Sequence, residues 1–244
     1  MRGEIMQDEY GLKDGKHQDI LAAIPCYNMG ASIGDVVSKA KKHVSQVVVI
    51  DDGSHDDTVI IAKQSGALVI SHDVNRGYGK AIKTCFNFAK ERDAAVLVIL
   101  DGDGQHNPDE IPKFVSQIIT GKADLVVGSR LIGQKYYIPN YRRLGISVIT
   151  FLWNFGSKIK VTDAQSGFRA YSSNLIKCLS LSENGMSVSI EILEKARLKK
   201  AIIKEVPILC YYSHSGMGLR AIKHGIGVAT SVIWLRLKCS LSRN

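Results

Sequence analysis

Short apolar runs separated by polar turns recur through the first half of the chain. They are Ile20–Ile24, Val47–Ile50, Leu68–Ile70, Ala95–Leu100 and Leu125–Val127. Each is continuous rather than alternating, which predicts strands of a parallel sheet covered on both faces. Stretches with helical spacing lie between them: Ile33–His43, Thr58–Ser65, Lys80–Arg92 and Pro108–Thr120. Asp56 or Asp57 caps the second. The fourth starts with Asn107 as cap and Pro108 at the first helical position. In the third, Ala81, Ile82, Cys85, Phe86 and Ala89 share one face. This alternation predicts an α/β fold, an open and mostly parallel sheet with right-handed crossovers and flanking helices. Farther on, Tyr141–Ser157, Ser187–Lys199 and Gly218–Lys238 read as helices and Ile202–Pro207 as a strand. No internal repeat or Pro-rich linker divides the chain. The expected organisation is a polar tail over 1–19, one domain over 20–215 and a basic amphipathic helical extension over 216–244.

Ligands of such sheets bind beyond the carboxyl ends of the strands. The polar clusters of this sequence fall there. Pro25-Cys26-Tyr27-Asn28 follows the first run, Asp51-Asp52-Gly53-Ser54 the second and Asn75-Arg76-Gly77-Tyr78-Gly79-Lys80 the third. Asp101-Gly102-Asp103-Gly104-Gln105-His106 follows the fourth and Gly128-Ser129-Arg130 the fifth. Asp101 and Asp103, one residue apart in a turn, suit a hard divalent cation such as Mg2+ or Mn2+. The plain alternative is a solvated polar turn. Asp51 and Asp52 suit the hydroxyls and N–H groups of a nucleoside, or simply cap the next helix. The glycines before Lys80 open a helix whose N-terminus favours anions. Ile82 stands where a dinucleotide fingerprint needs its third glycine, and Ala81 follows Lys80 where a P-loop needs Ser or Thr, so neither motif is present.

Composition narrows the picture. The 244 residues are 45% hydrophobic and 23% charged, which allows a substantial core. Five separated cysteines without a C-x-x-C pattern fit a reducing compartment rather than a disulfide framework. The N-terminus lacks the apolar core of a signal peptide, and no apolar run reaches spanning length. The net charge of +9 favours anionic partners. Between Ser129 and Thr162 lie Arg130, Lys135, Arg142, Arg143, Lys158 and Lys160 with no acid among them. Tyr136, Tyr137, Tyr141, Phe151, Trp153 and Phe155 interleave with them. That mixture suits an interfacial helix on an anionic membrane surface, or else a solvated basic face. No nucleic-acid motif is visible, and nucleic acid is not an expected partner.

Taken together and in order, these motifs resemble the family 2 glycosyltransferases of the GT-A (Rossmann-like) fold. Within that family they look most like the transferases that load sugars onto dolichyl or polyprenyl phosphate. Asp163-Ala164-Gln165-Ser166-Gly167-Phe168-Arg169-Ala170-Tyr171 and Glu205-Val206-Pro207-Ile208 extend the match, which covers about residues 20–215. The resemblance implies an inverting, metal-dependent transfer of a hexose from a nucleotide-sugar donor such as GDP-mannose or UDP-glucose. It implies donor contacts through Pro25, Tyr27, Asn28, Asp52, Lys80, Asp101 and Gly102. It implies metal ligation by Asp101, Asp103 and Gln105, with Asp103, Asp163 and Arg130 as catalytic residues. Arg130, Arg143, Ser166, Arg169 and Arg220 are the expected acceptor contacts. Two departures stand out: Met29 occupies a position that is acidic in the family, and the loop Tyr211–Arg220 lacks its usual basic residues, leaving His214 and Arg220 to stand in.

Two acceptors fit. A polyprenyl phosphate is already ionised and needs orientation by Arg or Lys. In that case Asp163 organises the Ser166–Arg169 loop. A sugar or protein hydroxyl needs a general base, and Asp163 is then the base. The basic second half favours the phosphate and a peripheral position on the cytoplasmic face of a membrane. A non-catalytic nucleotide-sugar-binding protein would need an idle Asp101–Asp103 pair. A sugar nucleotidyltransferase would need a glycine-rich loop where Pro25–Met29 stands.

Overall fold

The computed structural model describes residues 19–133 and 138–212. Seven strands form one sheet: β1 (Ile20–Cys26), β2 (Gln46–Asp51), β3 (Leu68–Ser71), β4 (Val96–Ile99), β5 (Leu125–Ser129), β6 (Arg169–Ser172) and β7 (Ile203–Pro207). Their order across the sheet is β3-β2-β1-β4-β6-β5-β7. All pairs are parallel except those of β6, which runs antiparallel between β4 and β5. The helices are α1 (Gly30–Ala40), α2 (Thr58–Gln64), α3 (Tyr78–Glu91), α4 (Ile111–Ile119), α5 (Asn140–Asn154), α6 (Ser173–Cys178) and α7 (Val188–Leu198). Pro108–Glu110 forms a 3-10 turn that leads into α4, and Asn107 caps it by accepting the Asp109 N–H at 3.1 Å.

The two faces of the sheet alternate along every central strand. Ile20, Ala22 and Ile24 of β1, with Val96 and Val98 of β4, pack against Ile33 and Val37 of α1 and Phe114 of α4. Leu21 and Ala23, with Leu97 and Ile99, pack against Phe86 of α3, Trp153 of α5 and Leu193 of α7. Burying side chains of this size is worth about 1.5–3 kcal/mol each. The two edge strands, β3 and β7, leave their side chains partly or largely exposed.

The predicted parallel strands and their helices are all present, with ends shifted by a few residues. Asp57 occupies the N-cap position of α2 without a side-chain bond, and the capping bonds come from Asp56 just before it. One Asp56 oxygen takes the Thr58 N–H at 3.0 Å and the Thr58 hydroxyl, and the other takes the Gly30 N–H at 2.9 Å. The periodicity did not reveal β6 or α6. β6 is four residues long, begins with an arginine, and reverses the direction expected of a parallel sheet. All but the last residue of the expected tail, and the whole C-terminal extension 216–244 with the helix Gly218–Lys238, lie outside the described residues. Among the described residues no helix is long and apolar enough to cross a membrane.

Arg169 explains how so short a strand is held. It is fully buried, and its guanidinium donates to three backbone carbonyls: Ser166 at 2.8 Å, Ala164 at 2.7 Å and Ser189 at 2.8 Å. These bonds tie the loop before β6 to the start of α7. Arg169→Leu removes three charge-assisted hydrogen bonds from the buried loop and should destabilise the fold by about 3 kcal/mol or more. Urea unfolding measures it; a loss under about 1 kcal/mol would remove Arg169 from this role.

Candidate active site

The strand ends define a cleft of about 330 Å³. Its floor follows the sheet order. Asp52 comes from the end of β2, Pro25 and Tyr27 from the end of β1, and Asp101, Gly102 and Asp103 from the end of β4. Gln165 and Gly167 come from the loop before β6. Because β6 is antiparallel, its beginning lies beside the carboxyl ends of its neighbours. The insertion of β6 therefore brings a loop onto Asp101.

Gly167 makes the closest approach. A Cβ there would lie 2.5 Å from one Asp101 carboxylate oxygen and 2.9 Å from the other. Tyr78, at the start of α3, donates its hydroxyl to Asp101 Oδ1 at 3.3 Å. Asp103 Oδ1 accepts the Gln105 N–H at 2.9 Å, which closes the turn. Burial pushes the carboxyls of both Asp101 and Asp103 above the usual carboxylate range, and Asp101 raises Asp103 further. A desolvated carboxylate pair of this kind is suited to a hard divalent cation, which would restore ionisation. The Gln105 side chain points elsewhere, with its carbonyl oxygen 4.0 Å from the Cys210 sulfur. Its expected place as a metal ligand would need a turn of that side chain. His106 is buried against Phe168, and burial, aided by the Arg130 charge, lowers it to about 4, so it is neutral near pH 7.

Asp52 is occupied before any ligand arrives. Its Oδ1 takes His72 Nδ1 at 2.7 Å and the Arg76 N–H at 2.9 Å, and its Oδ2 takes the Gly77 N–H at 2.8 Å. It both lines the cleft and anchors the glycine loop. His72 in turn reaches the Thr84 hydroxyl at 2.9 Å; nothing in the spacing of the sequence marked it. Asn28 adopts a positive φ of 53° and turns its side chain away to accept the His55 N–H at 2.9 Å. That geometry makes Asn28 a loop anchor rather than a cleft contact. Lys80 sits in the first turn of α3 and is not among the residues lining the cleft. Met29, the departure from the acidic position, lines it.

The expected acceptor residues divide. Arg130 makes a two-pronged pair with Asp163, Nε to Oδ2 at 2.6 Å and an outer nitrogen to Oδ1 at 2.9 Å. Burial opposes both charges. The pair nevertheless holds the Asp163 carboxyl below its ordinary range and keeps Arg130 protonated. Asp163 is completely buried, so a general-base role is corrected here: both its oxygens are on Arg130, and it is poor at taking a proton. Arg169 is corrected likewise, because its guanidinium braces the loop and cannot reach an acceptor. Ser166 is fully buried, and its hydroxyl accepts the Phe168 N–H at 3.3 Å. Arg143 is exposed on α5. Its neighbour Arg142 instead faces the site, stacking over the Tyr212 ring at 4.9 Å, and its charge eases the ionisation of Asp103. The adjacent pair Arg142-Arg143 could be seen in the sequence, but not which of the two turns inward. Arg220 and His214 lie outside the described residues.

A single α/β domain with a carboxylate pair at the centre of a switch-point cleft is the architecture of nucleotide-sugar transferases. The family model for glycosyl transferase family 2 matches residues 22–180, and the chain belongs to that family. It is 34% identical over 223 residues to the UDP-N-acetylglucosamine–dolichyl-phosphate N-acetylglucosaminyltransferase of Methanococcus voltae, covering 81% of this chain and 88% of the relative. It is 31% identical over 192 residues to the dolichyl-phosphate hexose transferase of Haloferax volcanii, covering 78% and 82%. Its fold matches the crystal structure of glucosyl-3-phosphoglycerate synthase from Mycobacterium tuberculosis with Mn2+, UDP and glucosyl-3-phosphoglycerate. The TM-score is 0.72 and the identity 21%, over 96% of this chain and 83% of that one. The expected GT-A fold is therefore present.

Gly167→Ala pushes a methyl into the Asp101 carboxylate. The expected result is a folded protein whose Mn2+ affinity falls by about tenfold or more. Titration calorimetry with Mn2+ measures it; an unchanged affinity would mean that Asp101 is oriented by other contacts.

Proposed function

We propose that the protein transfers a hexose, with inversion, from a nucleotide sugar to a polyprenyl phosphate at the cytoplasmic face of a membrane. The donor nucleoside lies over the ends of β2 and β1, between Asp52, Pro25 and Tyr27. Asp101 and Asp103 would hold Mg2+ or Mn2+, which would supply positive charge to the diphosphate leaving group. The acceptor enters from the β5 side, where Arg130, Arg142 and Arg143 bring positive charge. An acceptor phosphate oxygen bonds to the anomeric carbon as the bond to the nucleoside diphosphate breaks, and the diphosphate keeps the electron pair. No proton has to be removed from the acceptor.

The observation that carries this choice of acceptor is the state of Asp163. A hydroxyl acceptor needs a base, and among the described residues this carboxylate, the one expected to serve, is sealed against Arg130. The surface of α5 adds support. Leu144, Val148, Phe151 and Phe155 form a stripe at helical spacing and are 46–72% exposed. Arg142 and Arg143 precede the stripe, and Lys158 and Lys160 follow it. An apolar stripe between cations suits an anionic lipid surface, where a polyprenyl phosphate is found. Two relatives, transferases that load sugars onto dolichyl phosphate, agree with this reading.

The direct test is transfer of label from a panel of nucleotide sugars to polyprenyl phosphate in detergent, with Mn2+ and with EDTA. Lipid-bound label that EDTA abolishes is expected, and Asp103→Ala should lose it by about a hundredfold or more. Metal-dependent donor hydrolysis with no lipid product would turn the reading to a hydroxyl acceptor. Because burial raises Asp101 and Asp103, protons compete with the metal at higher pH than for ordinary carboxylates. Mn2+ affinity should therefore weaken steadily as pH falls from neutrality towards 5. A flat profile over that range would exclude these two groups as the ligands.

A further inference from the structure

We propose that Met186 contacts the transferred sugar and seats an acetamido substituent, so that the preferred donor is a nucleotide-activated acetamido hexose. The inference rests on the reading of the protein as a nucleotide-sugar transferase and names the substrate class of that site. It starts from the order of groups along the cleft. With the nucleoside at the ends of β2 and β1 and the diphosphate at Asp101 and Asp103, the sugar must lie beyond the carboxylates. The cleft there is lined by Gln165, Gly167, Met186 and Ser189, with Tyr78 at its side.

This wall combines one apolar side chain with neutral polar groups. Gly167 offers no side chain, and Met186 lines the cleft while remaining 45% exposed. Charged side chains are missing from these five residues. The polar groups are an amide on Gln165 and hydroxyls on Ser189 and Tyr78. An acetamido group has matching halves: a methyl for the thioether and an amide that can donate to and accept from such neutral partners. A hydroxyl at the same place would leave the methionine facing water.

The wall is also built to stay where it is. The loop carrying Met186 is fixed on one side by Glu191, a buried carboxylate with no place in the transfer chemistry. One Glu191 oxygen accepts the Ser182 N–H at 2.8 Å, and the other accepts the Glu183 N–H at 2.9 Å. On the other side Lys83 donates to Asn184 Oδ1 at 2.7 Å, and the Gly79 N–H donates to the Asn184 carbonyl at 2.9 Å. The approach is so close that a Cβ on Gly79 would fall 2.4 Å from the Asn184 carbonyl carbon. A buried carboxylate is costly unless its hydrogen bonds are made. Here those bonds hold a loop whose crest is the methionine at the cleft.

Equilibrium binding of UDP-N-acetylglucosamine, UDP-glucose and UDP to the full chain with Mn2+ tests the assignment. The wild type should bind the acetamido sugar more tightly than glucose. Met186→Ala should reduce that preference by about tenfold, the effect of removing apolar contact to a small group, without changing UDP affinity. Met186→Leu, which keeps the volume and apolar character, should retain the preference. Equal affinities for the two sugars in the wild type, or the same loss for both in Met186→Ala, overturns the proposal while leaving the transferase reading intact. Failure to bind any of the three nucleotides, or GDP-mannose, overturns the transferase reading itself.

Discussion

The site depends on one close approach: the backbone at Gly167 against the carboxylate of Asp101. Everything nearby serves to hold those two together. The Arg169 guanidinium gathers the carbonyls of Ala164 and Ser166 on one side and of Ser189 on the other, so the loop cannot lift away from β4. The same loop begins at Asp163, whose pair with Arg130 fixes it to the end of β5. Two buried arginines thus frame five residues of chain. A buried ion pair is rarely justified by stability alone; here its geometric result is a carboxylate held at a defined place in the cleft.

The antiparallel strand β6 is what makes this possible. A parallel strand in the same position would bring its carboxyl end to the cleft and send its preceding loop to the far side of the sheet. Reversing one strand lets a loop enter between the Asp52 side and the Arg142 side of the cleft. The last described segment reinforces it. Leu209 donates to Glu110 at 2.9 Å, Cys210 bridges to His106, and Tyr211 donates to the Gln105 carbonyl at 2.9 Å. The turn after β4 is therefore covered by chain from the far edge of the sheet.

Much of this could be read from the amino-acid order, and the reasons for success and failure are physical. Buried parallel strands write themselves as unbroken apolar runs, so β1, β2, β4 and β5 were legible, and so were the polar groups at their ends. β6 was not, because Arg-Ala-Tyr-Ser carries no periodicity and its arginine is buried through carbonyl partners that only the folded loop supplies. The general-base alternative for Asp163 and the ligand contacts expected of Asn28 and Arg169 were not borne out for the same reason, whereas Asp163 does organise the loop that follows it. A sequence motif says which chemistry a residue owns, not which neighbour has already claimed it. Arg142 and Arg143 differ only in helical phase, which the α5 boundaries decide.

The three donors on Asp52 carry a thermodynamic implication. Its carboxylate and the loop through Gly77 are locked together by folding, so the ordering entropy is spent before a ligand is present. Entry of a ligand then requires little rearrangement of this wall, and more of the contact energy is left to appear as affinity. A floppy loop in the same place would bind by becoming ordered, with a larger entropic penalty and a more negative heat-capacity change. This side of the cleft behaves as a preorganised mould.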